Sequence, residues 1–215
     1  MVSLNKIRKM WAWWPCAAKL KLTMTSPIYY LPGHGGQLET GLGSALLARG
    51  FDVTGRETRG EFKSLAFASQ VELIAQDLTA RFWTDDACVV ANSFGAYLFL
   101  HAQAQLPPFV GKVLLLSPIV GEFSKDEPED DEEAGGWLGF IPPMAGKLSA
   151  LIEAGSFPAP QHCEIHVGAN DWQSNPRAVS SLGRQLGIPV GVVPEAGHGL
   201  PKAYVSNVLD RWLPH

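Results

Sequence analysis

Cysteine is scarce: Cys16, Cys88 and Cys163 are the only three in 215 residues, an odd number with no CxxC spacing. A disulfide framework is disfavoured, and reduced, mostly structural thiols in a cytoplasmic protein are expected. No apolar run approaches the roughly 20 residues that a membrane-crossing helix needs, so stable membrane insertion is not expected. Charge excess is small as well. Lys and Arg total 17 against 21 Asp and Glu, a formal charge of -4 that offers nucleic acid no basic footprint. No His, Cys or carboxylate cluster has metal-ligand spacing, and neither GxxxxGK[ST] nor a strand-linked GxGxxG occurs, so neither a metal nor a cofactor is expected. Internal repeats of the solenoid kind are also missing.

What is present is an ordinary globular composition, 46% hydrophobic and 18% charged, at a length suited to one sizeable domain. Residues 1–23 carry five Lys or Arg and no acid around Trp11, Trp13 and Trp14. Pro15 interrupts too short an apolar core for a signal peptide. A poorly ordered extension is expected there, in front of a domain spanning 24–215.

Short apolar runs alternate with segments of helical period. PIYYL, FDVTG, ACVVA, GKVLLLS, CEIHV and IPVGVV read as strands. Between them, LETGLGSALLARG, GAYLFLHAQAQ, NPRAVSSLGRQLG and LPKAYVSNVLDRWL read as helices. In SLAFASQVELIAQDLTARFW, the residues Leu65, Ala68, Val71, Ile74, Ala75 and Leu78 share one helical face. Continuous apolar strands separated by helices predict a three-layer α/β sandwich: a mainly parallel sheet of about six strands with helices on both faces. One stretch, about 120–160, breaks the rhythm. Its acidic run Asp126 to Glu133 has no place in a core and reads as a solvated loop or a lid, with Trp137 just beyond it placed to wall an apolar pocket.

Open parallel sheets bind ligands beyond the carboxyl ends of their strands. There the sequence places LPGHGGQ, a glycine-rich turn; ANSFG, with Ser93 between the small residues Ala91 and Gly95; GANDWQS, with Asp171; and PEAGHGL, with His198. A sharp strand-to-helix turn needs such small neighbours, because the two backbones approach closely. The loop GRETRGEFK carries Arg56, Arg59 and Lys63, which could meet an anionic substrate but read better as local ion pairs in a solvated loop.

These motifs, over roughly residues 26–213, resemble the α/β-hydrolase superfamily from near its third strand onward. ANSFG is similar to the family's G-x-S-x-G elbow with alanine at the first glycine. LPGHGG is similar to its L-H-G-x-G-G turn with Pro32 in place of the histidine, and HVGANDWQS and PEAGHGL resemble its acid and histidine segments. The resemblance implies Ser93 as nucleophile, His198 as general base and Asp171 orienting the imidazole, with the backbone N–H groups of Phe94 and His34 as oxyanion hole. Gly33, Gly35, Trp172 and Trp137 are expected to border the substrate. The chemistry stands on its own terms: a serine hydroxyl needs a base to take its proton, and a carboxylate fixes the imidazole tautomer. The expected activity is hydrolysis of a small-molecule acyl ester or thioester by a monomer. Acyl transfer on the same residues, or a non-catalytic binding protein retaining the fold, are the alternatives.

Overall fold

The computed structural model describes residues 27–120 and 141–213. The extension 1–23, the acidic run 126–133 and Trp137 lie outside the described residues. Six strands, β1 (Ile28–Leu31), β2 (Val53–Gly55), β3 (Cys88–Asn92), β4 (Lys112–Leu116), β5 (His162–Gly168) and β6 (Val190–Val193), form one sheet in the order β2-β1-β3-β4-β5-β6. Every pairing is parallel.

The residues of β1 and β3 are buried almost throughout, as are all but the first of β4. Their side chains alternate between two layers, as the two-residue period of a strand requires. On one face Tyr29, Leu31, Val89, Ala91, Val113, Leu115, Ile165 and Val167 enter the larger core. That core is covered by α3 (Phe67–Asp77), α4 (Phe94–Gln103), α5 (Ile141–Glu153) and α6 (Pro176–Leu186). On the other face Ile28, Tyr30, Cys88, Val90, Leu114 and Leu116 pack under α1 (Leu42–Leu47) and α7 (Lys202–Trp212). The three-layer sandwich expected from the strand pattern is therefore the fold.

Several boundaries follow from local chemistry. α6 starts where the Asn175 side chain accepts hydrogen bonds from the backbone N–H groups of Arg177 and Ala178, with Pro176 at the first helical position. It stops at Gly187, whose φ of 68° suits a residue without Cβ. The segment before β3 buries Val71, Ile74, Ala75 and Leu78 as expected and departs from its expected face only at the start. α3 begins only at Phe67, so Leu65 and Ala68 are exposed, and the final turn, Leu78–Phe82, is π-helical and buries Leu78 and Phe82. A short helix, α2 (Gly60–Ser64), and α5 are elements that the hydrophobic period did not suggest. α5 places Leu148 and Ile152 in the larger core.

Strand order reverses at β1, which pairs with β2 on one side and β3 on the other. Such a switch point opens a crevice beyond the carboxyl ends of the diverging strands. The register brings Leu31 level with Ala91, Asn92 with Leu116, and Leu116 with His166, so the chain leaves β1, β3 and β4 at one height. α4 begins directly after Ser93, and Gly95 in its first turn packs on the end of β1. A Cβ at Gly95 would lie 2.2 Å from the Leu31 carbonyl oxygen and 2.5 Å from that of Pro32.

Two measurements follow. Gly95→Ala forces backbone apart rather than a flexible side chain, and should lower stability by about 2 kcal/mol or more, read as a reduced urea midpoint at unchanged slope. An unchanged midpoint would show that the elbow has slack. His101 of α4 is buried against Phe67 and Tyr97, with ring centroids 5.2 and 4.5 Å away. Burial, assisted by the Lys147 ammonium, pushes its imidazole down from 6.5 to about 4. The unfolded chain therefore takes up this proton first, and stability is complete above pH 6.5 and falls as pH drops toward 4. Between pH 7.5 and 4.5 the wild type should lose roughly 2 to 3 kcal/mol more than His101→Leu by urea denaturation; equal losses would remove His101 as the source.

Candidate active site

Four loops at the carboxyl ends of β1, β3, β5 and β6 meet beside the switch point. Ser93, between β3 and α4, has φ 53° and ψ -117°, a left-handed conformation rare outside glycine. Its N–H donates to the Leu116 carbonyl at 2.9 Å, and its carbonyl accepts from Tyr97 N–H at 3.1 Å. These bonds fix the turn at both ends. The side chain is lifted out of the strand direction toward His198, and Ser93 Oγ lies 2.7 Å from His198 Nε2.

The other imidazole nitrogen faces a carboxylate. His198 Nδ1 is 3.0 Å from Asp171 Oδ1 and 3.1 Å from Oδ2. The Asp171 side chain is wholly buried, whereas that of His198 is about one quarter exposed. Asp171 Oδ1 also accepts the backbone N–H groups of Gln173 at 3.0 Å and Ser174 at 2.9 Å. Burial pushes this carboxyl up, but the hydrogen bond and charge of His198, with the Ser174 N–H, outweigh burial and hold it below the ordinary aspartate range. The acid is therefore ionised at neutral pH.

The acid and histidine loops interlock at Gly168, the last residue of β5. Ala169 N–H donates to Val193 O and Asn170 N–H to Ala196 O, both at 2.8 Å. A Cβ at Gly168 would sit 2.2 Å from the Gly197 carbonyl oxygen, so only glycine allows this approach. Asp171 and His198, 27 residues apart in sequence, are joined through the β5·β6 pair.

The glycine turn after β1 completes the crevice. A Cβ at Gly33 would lie 3.2 Å from Asn92 Nδ2 and 3.3 Å from Ser93 Cβ, so the turn passes directly over the elbow. The His34 and Phe94 rings meet edge to face with centroids 6.1 Å apart, which puts these two residues side by side. Gly35 has φ 68° and donates its N–H to Thr58 O at 3.1 Å. Buried Thr58 braces the turn further: its hydroxyl donates to Gly33 O and accepts from Gly36 N–H at 3.0 Å. Trp172 is half-buried in the turn after Asp171. Ser93, Asp171, His198, Phe94, His34 and Gly33 are thus gathered at one end of the sheet, while Trp137 lies outside the described residues.

Arg56 does not face this crevice as a free cation. Its guanidinium binds both oxygens of Asp77, Nε to Oδ2 at 2.6 Å and Nη2 to Oδ1 at 2.7 Å, and Asp77 also accepts the Tyr29 hydroxyl at 2.7 Å. Arg59 pairs with Glu57 at 2.7 Å. Cys88 and Cys163 are unpaired, and burial pushes both thiols up, Cys88 to about 11 and Cys163 higher still, which suits packing rather than nucleophilic attack. Thr58, Ser117 and Ser174 were not among the residues singled out from the sequence. Only the position of Ser174, three residues after Asp171, carried a local signal, that of an Asx-type turn.

A hydroxyl, an imidazole and an ionised carboxylate in series can move a proton off the hydroxyl as it attacks. No protein-family model matches the chain, and no curated protein matches it. Solved structures do resemble it in shape. The ydeN gene product of B. subtilis superposes with a TM-score of 0.61 at 13% identity, covering 87% of this chain and 98% of that one. A lipase-esterase related protein from Clostridium acetobutylicum gives 0.60 at 12% identity over 87% and 94%. A monoacylglycerol lipase from Paleococcus ferrophilus gives 0.58 at 14% identity over 88% and 95%. Sheet order, the elbow at the third strand and these neighbours together establish that this chain has the α/β-hydrolase fold.

Proposed function

We propose that the protein is a serine hydrolase that cleaves an ester or thioester of a small acyl substrate through an acyl-serine intermediate. The observation that carries this reading is the 2.7 Å contact between Ser93 Oγ and His198 Nε2, with Asp171 behind Nδ1. Structural neighbours named as a carboxylesterase, a lipase-esterase related protein and a monoacylglycerol lipase support it at the level of hydrolysis.

In this reading Asp171 holds the imidazole proton on Nδ1, which leaves the Nε2 lone pair facing Ser93. Ser93 Oγ attacks the acyl carbonyl carbon while its proton passes to Nε2. Charge then grows on the carbonyl oxygen, where the backbone N–H groups of Phe94 and His34 stabilise it; loss of one side-chain donor from an oxyanion hole elsewhere costs roughly 3 to 4 kcal/mol. The leaving alkoxide or thiolate takes the proton from Nε2 and departs. Water enters and attacks the acyl carbon while giving a proton to the same nitrogen; the bond from that carbon to Ser93 Oγ then breaks, Oγ takes the proton back from Nε2, and the acid is released.

The N–H donors are backbone groups, so their placement depends on the shape of the glycine turn rather than on side-chain identity. Gly33 and Gly35 maintain that shape, and Thr58 holds it from below. Trp172 borders the acyl substrate on the Asp171 side. No metal or cofactor enters any step, and a monomer contains every group required.

Ser93→Ala and His198→Ala should each reduce turnover of p-nitrophenyl acyl esters by about four to six orders of magnitude, and the double variant should be little worse, because such residues act as a unit. A serine-directed fluorophosphonate probe should label the wild type and not Ser93→Ala. Equal labelling of both, or strictly additive losses in the double variant, would remove Ser93 as the nucleophile.

A further inference from the structure

β4 supplies none of Ser93, Asp171 or His198, yet the residue that follows it is tied to the loops that supply two of them. Ser117 is completely buried and has φ 46°, a backbone that glycine would adopt without strain. Each of its polar groups is committed to a different segment. The N–H donates to His166 O of β5 at 2.7 Å, the carbonyl accepts from Ser174 Oγ at 2.7 Å, and the hydroxyl donates to the backbone carbonyl of His198 at 2.8 Å. A glycine there would relax the turn and lose the bond to His198.

Ser174 continues the chain from the other side. It is buried, and its N–H donates to Asp171 Oδ1. Its hydroxyl hydrogen points at Ser117 O, so the oxygen meets His198 Nδ1, 3.3 Å away, as an acceptor. Nδ1 therefore faces three oxygens, two from Asp171 and one from Ser174, and none of them offers it a proton. That environment keeps the imidazole hydrogen on Nδ1 and Nε2 bare toward Ser93.

We propose that Ser117 and Ser174 are positioning residues, a two-hydroxyl relay that holds His198 at its backbone and at Nδ1 and locks the histidine loop to the acid loop. The relay rests on the serine-hydrolase reading and deepens it. Asp171 sets the charge, while the serines set the place and the tautomer at which that charge acts. The two hydroxyls hold the same histidine at different atoms, Ser117 at its carbonyl and Ser174 at Nδ1, and the Ser174 hydroxyl is itself anchored on the Ser117 carbonyl.

The test is the rate of fluorophosphonate labelling at Ser93, with cooperative thermal unfolding recorded for every variant. Ser174→Ala and Ser117→Ala should each label about 10- to 100-fold more slowly than the wild type, as expected for a reacting group displaced by a fraction of an ångström to an ångström. Combining them should add little, since neighbours in one network are not additive. Ser174→Thr, which keeps the hydroxyl, should label at close to the wild-type rate. Wild-type labelling rates in the alanine variants would overturn the relay, as would a Ser174→Thr protein as slow as Ser174→Ala, which would assign the loss to packing. Should Ser174→Ala fail to fold, Ser117→Ala, which leaves the Asp171 contacts intact, decides the matter alone. An unlabelled wild type would overturn the hydrolase reading itself, whereas a labelled wild type with undiminished variants would overturn only the relay.

Discussion

Burial of the central strands on both faces is the constraint from which the rest of the molecule follows. β1, β3 and β4 carry apolar side chains into two separate cores, so an unpaired polar group along their length would cost several kcal/mol of lost hydration. Hydroxyl, imidazole and carboxylate groups are accommodated where the strands end. The common register of β1, β3 and β4 brings those ends to one height, and the reversal of strand order at β1 opens a gap between two of them. His166 in β5 is the instructive exception, a buried histidine within the sheet. It is kept there by the Tyr204 hydroxyl, 2.8 Å from Nδ1, and by Gly191 on β6, where a Cβ would lie 2.6 Å from that nitrogen.

Two carboxylates on this scaffold illustrate opposite uses of charge. Asp77 is satisfied by the planar fork of Arg56 and by the Tyr29 hydroxyl, which ties the helix before β3 to β1 and to the loop after β2. All its partners are fixed groups of the protein, and burial beside that charge raises the Tyr29 hydroxyl far above its usual range. Asp171 is more deeply buried, receives two backbone N–H groups and has one titratable partner. Its negative charge is compensated fully only when His198 carries a proton on both nitrogens. A carboxylate left with that deficit favours the imidazolium that forms when a hydroxyl gives up its proton, which is the state the proposed reaction passes through.

How much of this could be read from the sequence depends on whether the cause was local. Apolar runs announced all six strands, and Ser93, Asp171 and His198 stood out because each follows such a run in turn chemistry of its own. The glycines of LPGHGG and the alanine and glycine around Ser93 signalled close backbone approach for the same reason. Ser117 carried no such signal. It sits beside Ser93 only because β3 and β4 are paired in register, and sequence spacing does not encode that adjacency. Thr58 is likewise joined to the Gly33 turn across 25 residues by the β1·β2 pairing. Val71, Ile74, Ala75 and Leu78 of the expected face reach the core, and the face is broken only at its start, where Leu65 precedes the helix, Ala68 is exposed and Phe67 packs inward. α5 was hidden by Pro142, Pro143 and Gly146, which interrupt a helical pattern even though Leu148 and Ile152 reach the core.

Backbone strain points to the same end of the sheet by an independent route. Among the described residues, four that are not glycine adopt positive φ: Ser93, Ser117, Asn175 and Glu195. They follow β3, β4, β5 and β6 respectively, so every one lies beyond a strand's carboxyl end. Each such residue costs on the order of 1 to 3 kcal/mol and persists only where its surroundings hold it. Asn175 offsets its cost by capping α6 through two backbone N–H groups. Glu195 leads into the loop that delivers His198. Glycine would remove the strain at Ser93 and Ser117 but would also remove the hydroxyls that reach His198 Nε2 and the His198 carbonyl. Retaining serine at both turns makes physical sense if those hydroxyls are used, and it places the histidine between them as the group around which this end of the fold is arranged.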